Sequence, residues 1–294
     1  MTSMHTFQSE VKPLVSVVLK TSQQAFVSQE HLSENWQSHY YTSEPDFIKA
    51  CSEYDAFKQI LIDSGVECIE LPATDKTTMD SIYVRDAAIS TDKGMILCNM
   101  GKAQRMNEPA AQEAFYRSHD IPILGSITGE GQVEGGDVAW LNDKTLAVAW
   151  GYRTNWQGIE QLRDLLDDDI ELVIAPSPHW NGPTDVYHLM SSLSPVAEDK
   201  LLVFSRLLTV PFRDFLLESG FDLIEIAEHE YDDMACNVLA LAPNKVLMLE
   251  GLPDTRKALE SNGVEVLTYA GNEISLKGCG GPTCLTRPLA RALS

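Results

Sequence analysis

A short turn of similar sequence recurs four times along this chain, at intervals of about fifty residues. Each copy places an Asp or Asn directly before a Lys, and the four copies are Asp92-Lys93, Asp143-Lys144, Asp199-Lys200 and Asn244-Lys245. The lysines lie 51, 56 and 45 residues apart. A period of this size is typical of structural repeats, in which one supersecondary unit is copied along the chain. The sequence therefore predicts a fold built from copies of one module.

Each predicted unit contains a helix, a strand and a hairpin, in that order. Helical patterns cover the five ranges Asp46–Ser64, Pro109–Ser118, Gly158–Leu166, Phe212–Ser219 and Asp254–Asn262. Each helix is followed by a short apolar run rich in β-forming residues, namely Glu67–Leu71, Ile121–Ile127, Ile170–Ile174, Leu223–Ile226 and Val264–Tyr269. Paired strands then flank the recurrent turns, as at Met95–Cys98 and Thr145–Ala149.

The N-terminal strand Leu14–Lys20 is predicted to complete the last hairpin. Five such units with their first and last strands paired predict a closed, five-bladed α/β propeller of ββαβ-type units with pseudo-fivefold symmetry and its helices outside. No linker-like tract divides the chain, so residues 1–294 are expected to form one catalytic domain. The exception to the repeat is 23–45, a polar segment that carries four aromatic residues. Long insertions of this kind are usually either lids or disordered, and we expect this one to be a lid over a central site.

The charge balance is strongly acidic, with 22 Lys and Arg residues against 43 Asp and Glu residues and a net charge of −21. This charge disfavours nucleic acid as a partner, because phosphates would be repelled, and it favours a cationic small substrate. No apolar run approaches the roughly 20 residues that span a bilayer, so no membrane contact is expected. The polar N-terminal stretch Met1–Lys12 lacks a signal-peptide pattern, and the cytoplasm is the expected location.

Six cysteines are scattered along the chain without a Cys-x-x-Cys pair or a nearby His at zinc-ligand spacing. A disulfide framework and a structural zinc are therefore not expected. Five of the six are expected to act as small hydrophobic residues. Cys284 is the exception, because the preceding glycines allow the backbone to approach a ligand closely. Cys279 is its local competitor, although it lies inside the glycine run.

Asp86, Glu134, His188 and Cys284 lie at about the same place in separate units. Copies of a module closed into a ring can direct one side chain each to a common centre. A cysteine nucleophile needs a base or a lowered pKa, and His188 is the histidine predicted to begin a strand at the repeat position. His179 is the second candidate and is expected to lie in a loop at the rim.

The two carboxylates are flanked by apolar residues, where an unpaired charge is costly to bury. Asp86 follows Tyr83-Val84-Arg85, and Glu134 opens the segment Glu134-Gly135-Gly136-Asp137. Each is therefore expected either to meet a cation or to mark an exposed strand end. Asp80, six residues before Asp86, is a further candidate that either contacts a ligand or caps a turn.

These motifs together resemble the guanidine-modifying, amidinotransferase-like superfamily, which includes arginine deiminases, dimethylarginine dimethylaminohydrolases and amidinotransferases. The resemblance rests on Arg85-Asp86, Glu134-Gly135-Gly136-Asp137, His188 and Gly280-Gly281-Pro282-Thr283-Cys284. It is closest to the dimethylarginine dimethylaminohydrolase branch, through Met79-Asp80-Ser81-Ile82-Tyr83-Val84 and Tyr152-Arg153-Thr154-Asn155. The fold that this resemblance implies is the pentein, a five-bladed α/β propeller, in agreement with the repeats.

The resemblance also implies a mechanism. Asp86 and Glu134 would accept the N–H groups of a planar guanidinium and orient it. The Cys284 thiolate would attack the central carbon, and His188 would donate a proton to the departing amine and later take one from water. A covalent thiouronium intermediate would form, with no metal or organic cofactor. Arg105 and Arg153 would hold the α-carboxylate of an amino-acid substrate.

The expected substrate-binding set is Asp80, Arg105, Arg153 and Asp137. Two positions depart from patterns common among the relatives. Met190 stands where some deiminases have an Asp, and Arg85 stands where a Glu often precedes the first aspartate. The pocket thus offers fewer anions, and a substituted guanidine or a ureido compound stays open as the substrate.

The leading hypothesis is a hydrolase of C–N bonds in a guanidino compound, either arginine or a methylated arginine. Its products would be a ureido compound such as citrulline, together with an amine or ammonia. The alternatives on the same scaffold are an amidinotransferase, an arginine dihydrolase and a citrulline hydrolase. A purely binding propeller, as in a ribosome-associated translation factor, is disfavoured by the Cys-His-acid set. A homodimer is a further expectation, since two-fold pairs are the commonest assemblies of soluble chains.

Overall fold

The computed structural model describes residues 6–185 and 187–292, so the first five residues of the polar N-terminal stretch lie outside it. The α-helices of the described chain are α1 (Ser22–Phe26), α2 (Gln29–Asn35), α3 (Phe47–Asp63), α4 (Glu108–Ser118), α5 (Trp156–Leu165), α6 (Val210–Glu218) and α7 (Pro253–Ser261). The strands are β1 (Leu14–Leu19), β2 (Glu67–Glu70), β3 (Ala88–Thr91), β4 (Gly94–Leu97), β5 (Ile123–Ser126), β6 (Val138–Trp140), β7 (Thr145–Trp150), β8 (Glu171–Pro176), β9 (Leu193–Ala197), β10 (Lys200–Val203), β11 (Asp222–Glu225), β12 (Leu239–Ala242), β13 (Lys245–Leu249), β14 (Glu265–Tyr269) and β15 (Arg287–Arg291). The five predicted helices and the strands that follow them are confirmed, with ends that differ by at most two residues.

The strands form five three-stranded sheets of the same design. Their strand orders are β3-β4-β5, β6-β7-β8, β9-β10-β11, β12-β13-β14 and β15-β1-β2. In every sheet the first strand is antiparallel to the middle strand and the third is parallel to it. A helix lies in sequence between the middle and third strands, because a parallel connection needs a crossover. The predicted ββαβ-type unit is therefore confirmed.

The predicted pairing of the N-terminal strand with the last strand is also confirmed. Strand β1 pairs with β15 in antiparallel register, with Val17 opposite Pro288 and Val18 opposite Arg287. Neighbouring sheets touch, for example where β9 contacts β12 and where β15 contacts β3. Among the described residues, however, strand ladders run only within each small sheet. A closed five-bladed ring therefore stays a prediction.

The first strand of each sheet, which we call its inner strand, is fully or almost fully buried. Strands β3, β6 and β9 are buried at every residue, and β12 and β15 at all but one. The third strands are only partly buried. A strand covered on both faces reads as a continuous apolar run. The residues that directly precede the first strands are therefore placed deep in the molecule.

The segment 23–45 differs from the long loop that the sequence suggested. It forms α1 and α2, and Phe26 and Tyr41 lie in the largest apolar cluster of the protein. The segment is tied to two other parts of the chain. Lys102 Nζ donates to the carbonyl of His39 at 2.9 Å, and Thr42 N donates to the carbonyl of Lys277 at 2.8 Å. Its ordered helices follow from these buried aromatic anchors.

None of the helices in the described part of the chain combines the length and the hydropathy needed to traverse a bilayer.

Candidate active site

Three of the four predicted catalytic side chains meet inside the protein. Asp86, Glu134 and His188 precede β3, β6 and β9, and each is at most 4% exposed. His188 Nε2 lies 2.7 Å from Glu134 Oε2, and His188 Nδ1 lies 3.9 Å from Asp86 Oδ1. The repeat thus delivers one polar group from each of three sheets to a common place.

The local structure around His188 corrects one prediction. The histidine does not begin a strand, because a 3-10 helix, Leu189–Ser191, separates it from β9. His188 is the residue before this helix, and its backbone N–H donates to Ser191 Oγ at 3.1 Å. Short 3-10 helices also carry Asp86 (Val84–Ala87) and follow Glu134 (Gly135–Asp137). These turns, which alternation of apolar residues does not reveal, direct the polar side chains.

Gly136 makes the close approach of the acid and the histidine feasible. A Cβ atom at this position would lie 2.5 Å from His188 Nδ1 and 2.7 Å from Asp86 Oδ1. Both distances are too short for any side chain. The Glu-Gly-Gly-Asp motif therefore has a steric reason for its second glycine.

Glu134 is held by four groups besides its own chain neighbours. Its Oε1 accepts from the backbone N–H groups of Gly101 at 2.9 Å and Lys102 at 3.1 Å. Its Oε2 accepts from His188, and Arg153 Nη1 lies 3.3 Å away. Burial would raise the pKa of Glu134, but the hydrogen bond and charge of His188 and the charge of Arg153 hold it well below the ordinary value. Glu134 is therefore an ionised carboxylate.

Burial by itself would lower the pKa of His188. The charge of Asp86, the hydrogen bond to Glu134 and the charge of Asp137 outweigh burial and raise the pKa to about 9. The imidazole is consequently protonated near neutral pH. A protonated histidine beside two carboxylates is prepared to act as a general acid.

Asp86 uses only one of its oxygens in the free protein. Its Oδ2 binds Arg105 Nη1, whereas its buried Oδ1 accepts no hydrogen bond from any residue that the structure describes. A buried acceptor without a partner is costly and needs an explanation. The free oxygen faces the Nδ1 side of His188, so a donor group of a ligand would satisfy it there.

Arg105, expected to bind a substrate carboxylate, is already engaged on several sides. It donates to Glu108 at 2.9 and 2.7 Å, to the carbonyl of Tyr83 at 2.8 Å and to Asp86. Burial raises the pKa of Glu108 to about 7 in spite of this pairing. The observed contacts of Arg105 hold Asp86 in place, and a substrate carboxylate would have to compete with them.

Cys284 lies three residues before β15, at the place in its sheet that matches the other site residues. Its Sγ accepts a hydrogen bond from Asn237 Nδ2 at 3.2 Å. Burial and the charge of Asp86 raise the pKa of the thiol to about 12, against the lowering effect of Asn237. The sulfur is therefore a thiol in the free protein, where the resemblance had implied a thiolate.

Asn237 completes the pattern and was missed in the sequence. It lies two residues before β12, so all five sheets place a polar residue just before their first strand. Its Oδ1 accepts from the backbone N–H of Thr283 at 3.1 Å while its amide group faces Cys284. Four of the five units had an assigned residue, and the repeat itself was the available signal for the fifth.

Asp137 supports the histidine segment. Its Oδ1 accepts from the backbone N–H of Leu189 at 3.1 Å, and its Oδ2 accepts from Thr154 Oγ1 at 2.7 Å. Burial raises the pKa of Asp137 to about 6. Both oxygens are engaged within the protein, which differs from the substrate contact expected for this residue.

The remaining expected substrate-binding residues lie beside this cluster. Arg153 is 6% exposed and donates to the carbonyl of Asp185 at 3.3 Å in addition to its contact with Glu134. Asp80 is buried and pairs with Lys102 at 2.6 Å. Asp80 thus anchors the loop whose backbone N–H groups bind Glu134.

A cavity of about 240 Å³ opens next to these residues. Asn237 and Asp185, which contact Cys284 and Arg153, line it together with Trp180, Tyr231 and Cys279. Burial and the charge of Asp185 raise the pKa of Cys279, so this competitor is no more activated than an ordinary thiol.

The other histidine candidate lies away from the buried cluster. His179 is an exposed loop residue whose Nδ1 lies 2.7 Å from Tyr152 Oη, as expected of a rim position.

Asp86, Glu134 and His188 also have the spacing of a metal-binding group, with ligand atoms within 4.8 Å of one another. Their oxygens already bind Arg105 and Arg153, and the pKa of about 9 keeps His188 cationic. A divalent cation would have to displace these positive charges. The arrangement favours recognition of an organic cation and proton transfer.

The protein has five sheets of the same design, and four of their inner strands are preceded by Asp86, Glu134, His188 and Cys284. This combination is typical of the guanidine-modifying superfamily. A family model described as N,N dimethylarginine dimethylhydrolase, eukaryotic, matches residues 21–291. The chain belongs to this family.

Similar proteins of known sequence or structure include other members of the same superfamily. An arginine deiminase of Mycobacterium marinum is 28% identical over 246 residues, which are 71% of this chain and 60% of that protein. The chain therefore spans less than two thirds of the length of this relative. The fold is similar to that of SxtG, an amidinotransferase from Microseira wollei in the saxitoxin biosynthetic pathway, with a TM-score of 0.81, 16% identity and coverage of 99% and 98% of the two chains. It is also similar to a mutant of DDAH from Pseudomonas aeruginosa complexed with citrulline, with a TM-score of 0.75, 22% identity and coverage of 94% and 100%.

Proposed function

We propose that this protein hydrolyses a C–N bond of a guanidino compound, with arginine and methylated arginines as the leading substrates. The products are a ureido compound such as citrulline and an amine or ammonia. The proposal rests on one observation above all: His188 Nε2 lies 2.7 Å from Glu134 Oε2, beside the Oδ1 of Asp86, which has no hydrogen-bond partner among the described residues. Family membership and the bound citrulline of the Pseudomonas aeruginosa relative agree with this substrate class.

The guanidinium group supplies the missing donors. One N–H satisfies Asp86 Oδ1, and Glu134 helps to fix the plane of the cation by charge-assisted bonding. The positive charge of the substrate lowers the pKa of the Cys284 thiol from its high value in the free protein. Binding of the correct substrate thus generates the thiolate nucleophile, and the thiol proton passes to solvent. In the empty site the sulfur stays protonated, which protects it from side reactions.

The chemistry then follows in two steps. The Cys284 thiolate forms a C–S bond to the guanidinium carbon, His188 donates its proton to the leaving nitrogen, and the C–N bond breaks to leave a thiouronium. His188, now neutral, takes a proton from a water molecule that attacks the same carbon. The C–S bond breaks, the hydroxyl proton of the intermediate passes to the sulfur, and the ureido product leaves Cys284 as the thiol of the free protein.

The surrounding residues position the reacting groups. Asn237 directs the sulfur, Arg105 positions Asp86, and Asp137 positions the segment that carries His188. Arg153 is the better candidate for a substrate carboxylate, because it has fewer competing partners than Arg105. Asp80 stabilises the Lys102 loop, whose contact with segment 23–45 agrees with a lid role for that segment.

The direct test compares Cys284→Ser with Cys279→Ser on arginine, monomethylarginine and dimethylarginine. Ureido product, ammonia and alkylamine are measured separately. Loss of turnover in Cys284→Ser and its retention in Cys279→Ser are expected, with a covalent adduct on Cys284 visible by intact mass after an acid quench. Full activity of Cys284→Ser would refute the assignment of Cys284 as the nucleophile.

An amidinotransferase is the second candidate function, because the fold resembles SxtG and the same four residues serve transfer. Adding glycine or ornithine to the assay distinguishes the two: transfer of the amidino group to the added amine would replace the hydrolase proposal. Arginine dihydrolase and citrulline hydrolase activities are recognised by two equivalents of ammonia from arginine and by turnover of citrulline itself.

The five sheets are proposed to surround one axis as a five-bladed propeller with the site at one end. The common position of the five polar residues before the inner strands supports this arrangement. A crystal structure tests it directly, and sheets that fail to close around one axis would contradict it.

The segment 23–45 is proposed as a lid over the site. The exposed ring of Tyr40 lies 5.4 Å from Lys102 Nζ, which anchors this segment to the site loop. Tyr40→Ala is expected to raise KM while the melting temperature stays near wild type. Unaltered KM and kcat would remove the lid role.

A further inference from the structure

Three arginines are buried in the protein outside the proposed active-site set. Arg85, Arg287 and Arg291 are 0%, 3% and 4% exposed. Arg85 lies in the 3-10 helix before β3, and the other two lie four residues apart on β15. Strand β15 is irregular between Arg287 and Arg291, and both side chains are buried.

The three side chains extend among the inner strands of neighbouring sheets. Arg85 Nη2 donates to the carbonyl of Val138 in β6 at 3.4 Å, and Arg287 Nη1 donates to the carbonyl of Ala88 in β3 at 3.0 Å. Arg291 Nη1 donates to the carbonyl of Ala240 in β12 at 2.9 Å. Inner strands from four sheets therefore enclose one cluster of guanidinium groups, which we call the arginine cluster.

One carboxylate enters this cluster. Glu10 is 6% exposed and accepts from Arg85 Nη2 at 2.6 Å. Burial would raise the pKa of Glu10, but the charges of Arg85, Arg287 and Arg291 lower it, so it is ionised and close to all three. Cys98 and Tyr116, the other titratable neighbours of Arg287, are neutral because burial raises the pKa of both.

The charges in the cluster do not balance. Arginine stays protonated in proteins, so three cations face one carboxylate. Five buried donor atoms also find no acceptor among the described residues: Arg85 Nε and Nη1, Arg287 Nε, and Arg291 Nε and Nη2. Ordered water could satisfy these N–H groups, but it would leave the excess positive charge in a low-dielectric interior. A buried charge without a counter-charge is strongly unfavourable.

The N-terminal segment lies against the turn after β3, at the end of this strand opposite to Asp86. Phe7 N donates to Ser90 Oγ at 3.2 Å, and Gln8 N donates to Asp92 Oδ1 at 2.9 Å, both near the turn that ends β3. Glu10 follows this segment directly and enters the arginine cluster. An occupant of the cluster would therefore be enclosed, and it would have to be small.

We propose that the arginine cluster binds a small monovalent anion, chloride being the simplest, as a structural part of the folded protein. A single ion would accept hydrogen bonds from the free guanidinium N–H groups and offset part of the excess charge. This site is distinct from the proposed active site and does not depend on the proposed reaction.

Bromide is the probe, because its anomalous scattering identifies it against water. Crystals of the whole protein soaked in sodium bromide are expected to show an anomalous peak at hydrogen-bonding distance from Arg85 and Arg291. Melting in sodium chloride is compared with melting in sodium gluconate at equal ionic strength. A saturable, chloride-specific rise of about 2–4 °C is expected.

Two variants are expected to change the chloride-specific rise in melting temperature in opposite directions. Arg291→Met is expected to lose both the bromide peak and the chloride-specific rise, whereas Glu10→Gln removes the competing carboxylate and is expected to enlarge the rise. Arg117→Met is the matched control, because that arginine is exposed and, among the described residues, forms an ion pair with Glu113 alone. If Arg291→Met does not fold, the bromide peak and the chloride-specific rise in wild type and Glu10→Gln still test the proposal.

Water alone at the cluster after the bromide soak overturns the proposal. So does a peak that appears only at molar bromide without chloride-specific stabilisation, since that would be an adventitious ion only. An equal response of Arg117→Met and Arg291→Met to chloride would also overturn it.

Discussion

The Nδ2 atom of Asn237 lies 3.2 Å from the Sγ atom of Cys284, and the amide is the closest polar partner that the structure gives to this sulfur. The other end of the amide accepts from the backbone N–H of Thr283, in the same loop as the cysteine. Asn237 thus bridges the sheet that contains β12 and the loop that leads into β15. It can stabilise negative charge on sulfur and set the direction from which the sulfur attacks.

Replacing Asn237 by Ala should therefore weaken the nucleophile. A hydrogen bond to a charged group is worth about 1.5–3 kcal/mol, so kcat/KM is expected to fall by roughly 10- to 100-fold. Because Asn237 lowers the pKa of the thiol, iodoacetamide should also label Cys284 more slowly at pH 8 in Asn237→Ala. Asn244→Ala, which alters an asparagine in the turn of the same unit, is the control. Equal labelling rates in wild type and Asn237→Ala would argue against this role.

Glu134→Gln should convert His188 to a more ordinary histidine. The hydrogen bond and the charge of Glu134 both raise the pKa of His188, so the variant should show a value clearly below 9. NMR titration of the histidine Cε1–H signals measures this directly. The alkaline limb of the kcat profile is expected to move to lower pH by a similar amount. If the alkaline limb stays at the same pH in Glu134→Gln, it reports the titration of a group other than His188.

The same pair predicts how stability depends on pH. The folded pKa of His188, about 9, lies above its ordinary value of 6.5. Its contribution is therefore fully present below about pH 6.5 and is lost as the pH rises to 9 and above, with an upper bound of about 3 kcal/mol. Melting curves from pH 6 to 9.5 should fall more steeply for wild type than for His188→Gln. Parallel curves would exclude this linkage.

The roles of Arg105 and Arg153 can be distinguished by comparing arginine with an analogue that lacks the carboxylate. Arg153→Met is expected to raise KM for arginine about tenfold or more, and to raise it clearly less for the decarboxylated analogue, for which only the contact of Arg153 with Glu134 is lost. Arg105→Met should impair both compounds equally, because it frees Asp86, and it should lower the melting temperature by leaving Glu108 buried without its partner. A loss in Arg105→Met confined to arginine would restore the carboxylate role that the resemblance implied.

The repeated unit could be predicted because its signals are local. Spacing of apolar residues and the Asp-Lys turns located the five helices and the strands after them. The 3-10 helices before the inner strands escaped notice, because three or four residues carry no periodic pattern. That is why His188 was expected at the start of a strand although it lies five residues earlier.

Chemical type singled out Asp86, Glu134, His188 and Cys284, since acids, imidazole and thiol are conspicuous in apolar surroundings. Asn237 was not singled out, because an amide in an apolar run has no reactive signature of its own. The engagement of Arg105 by Glu108 and Asp86 was equally invisible, since sequence does not say which of many carboxylates an arginine will meet.

Local sequence therefore established the unit, its number of copies and the residue types that converge. Only the packed chain decided that the free thiol is protonated, that the histidine is cationic, and that three arginines share one carboxylate. Those states depend on burial and on distances between side chains from different sheets, 47 or more residues apart. Electrostatic energy varies with separation and with the exclusion of water, and neither quantity exists before the sheets come together.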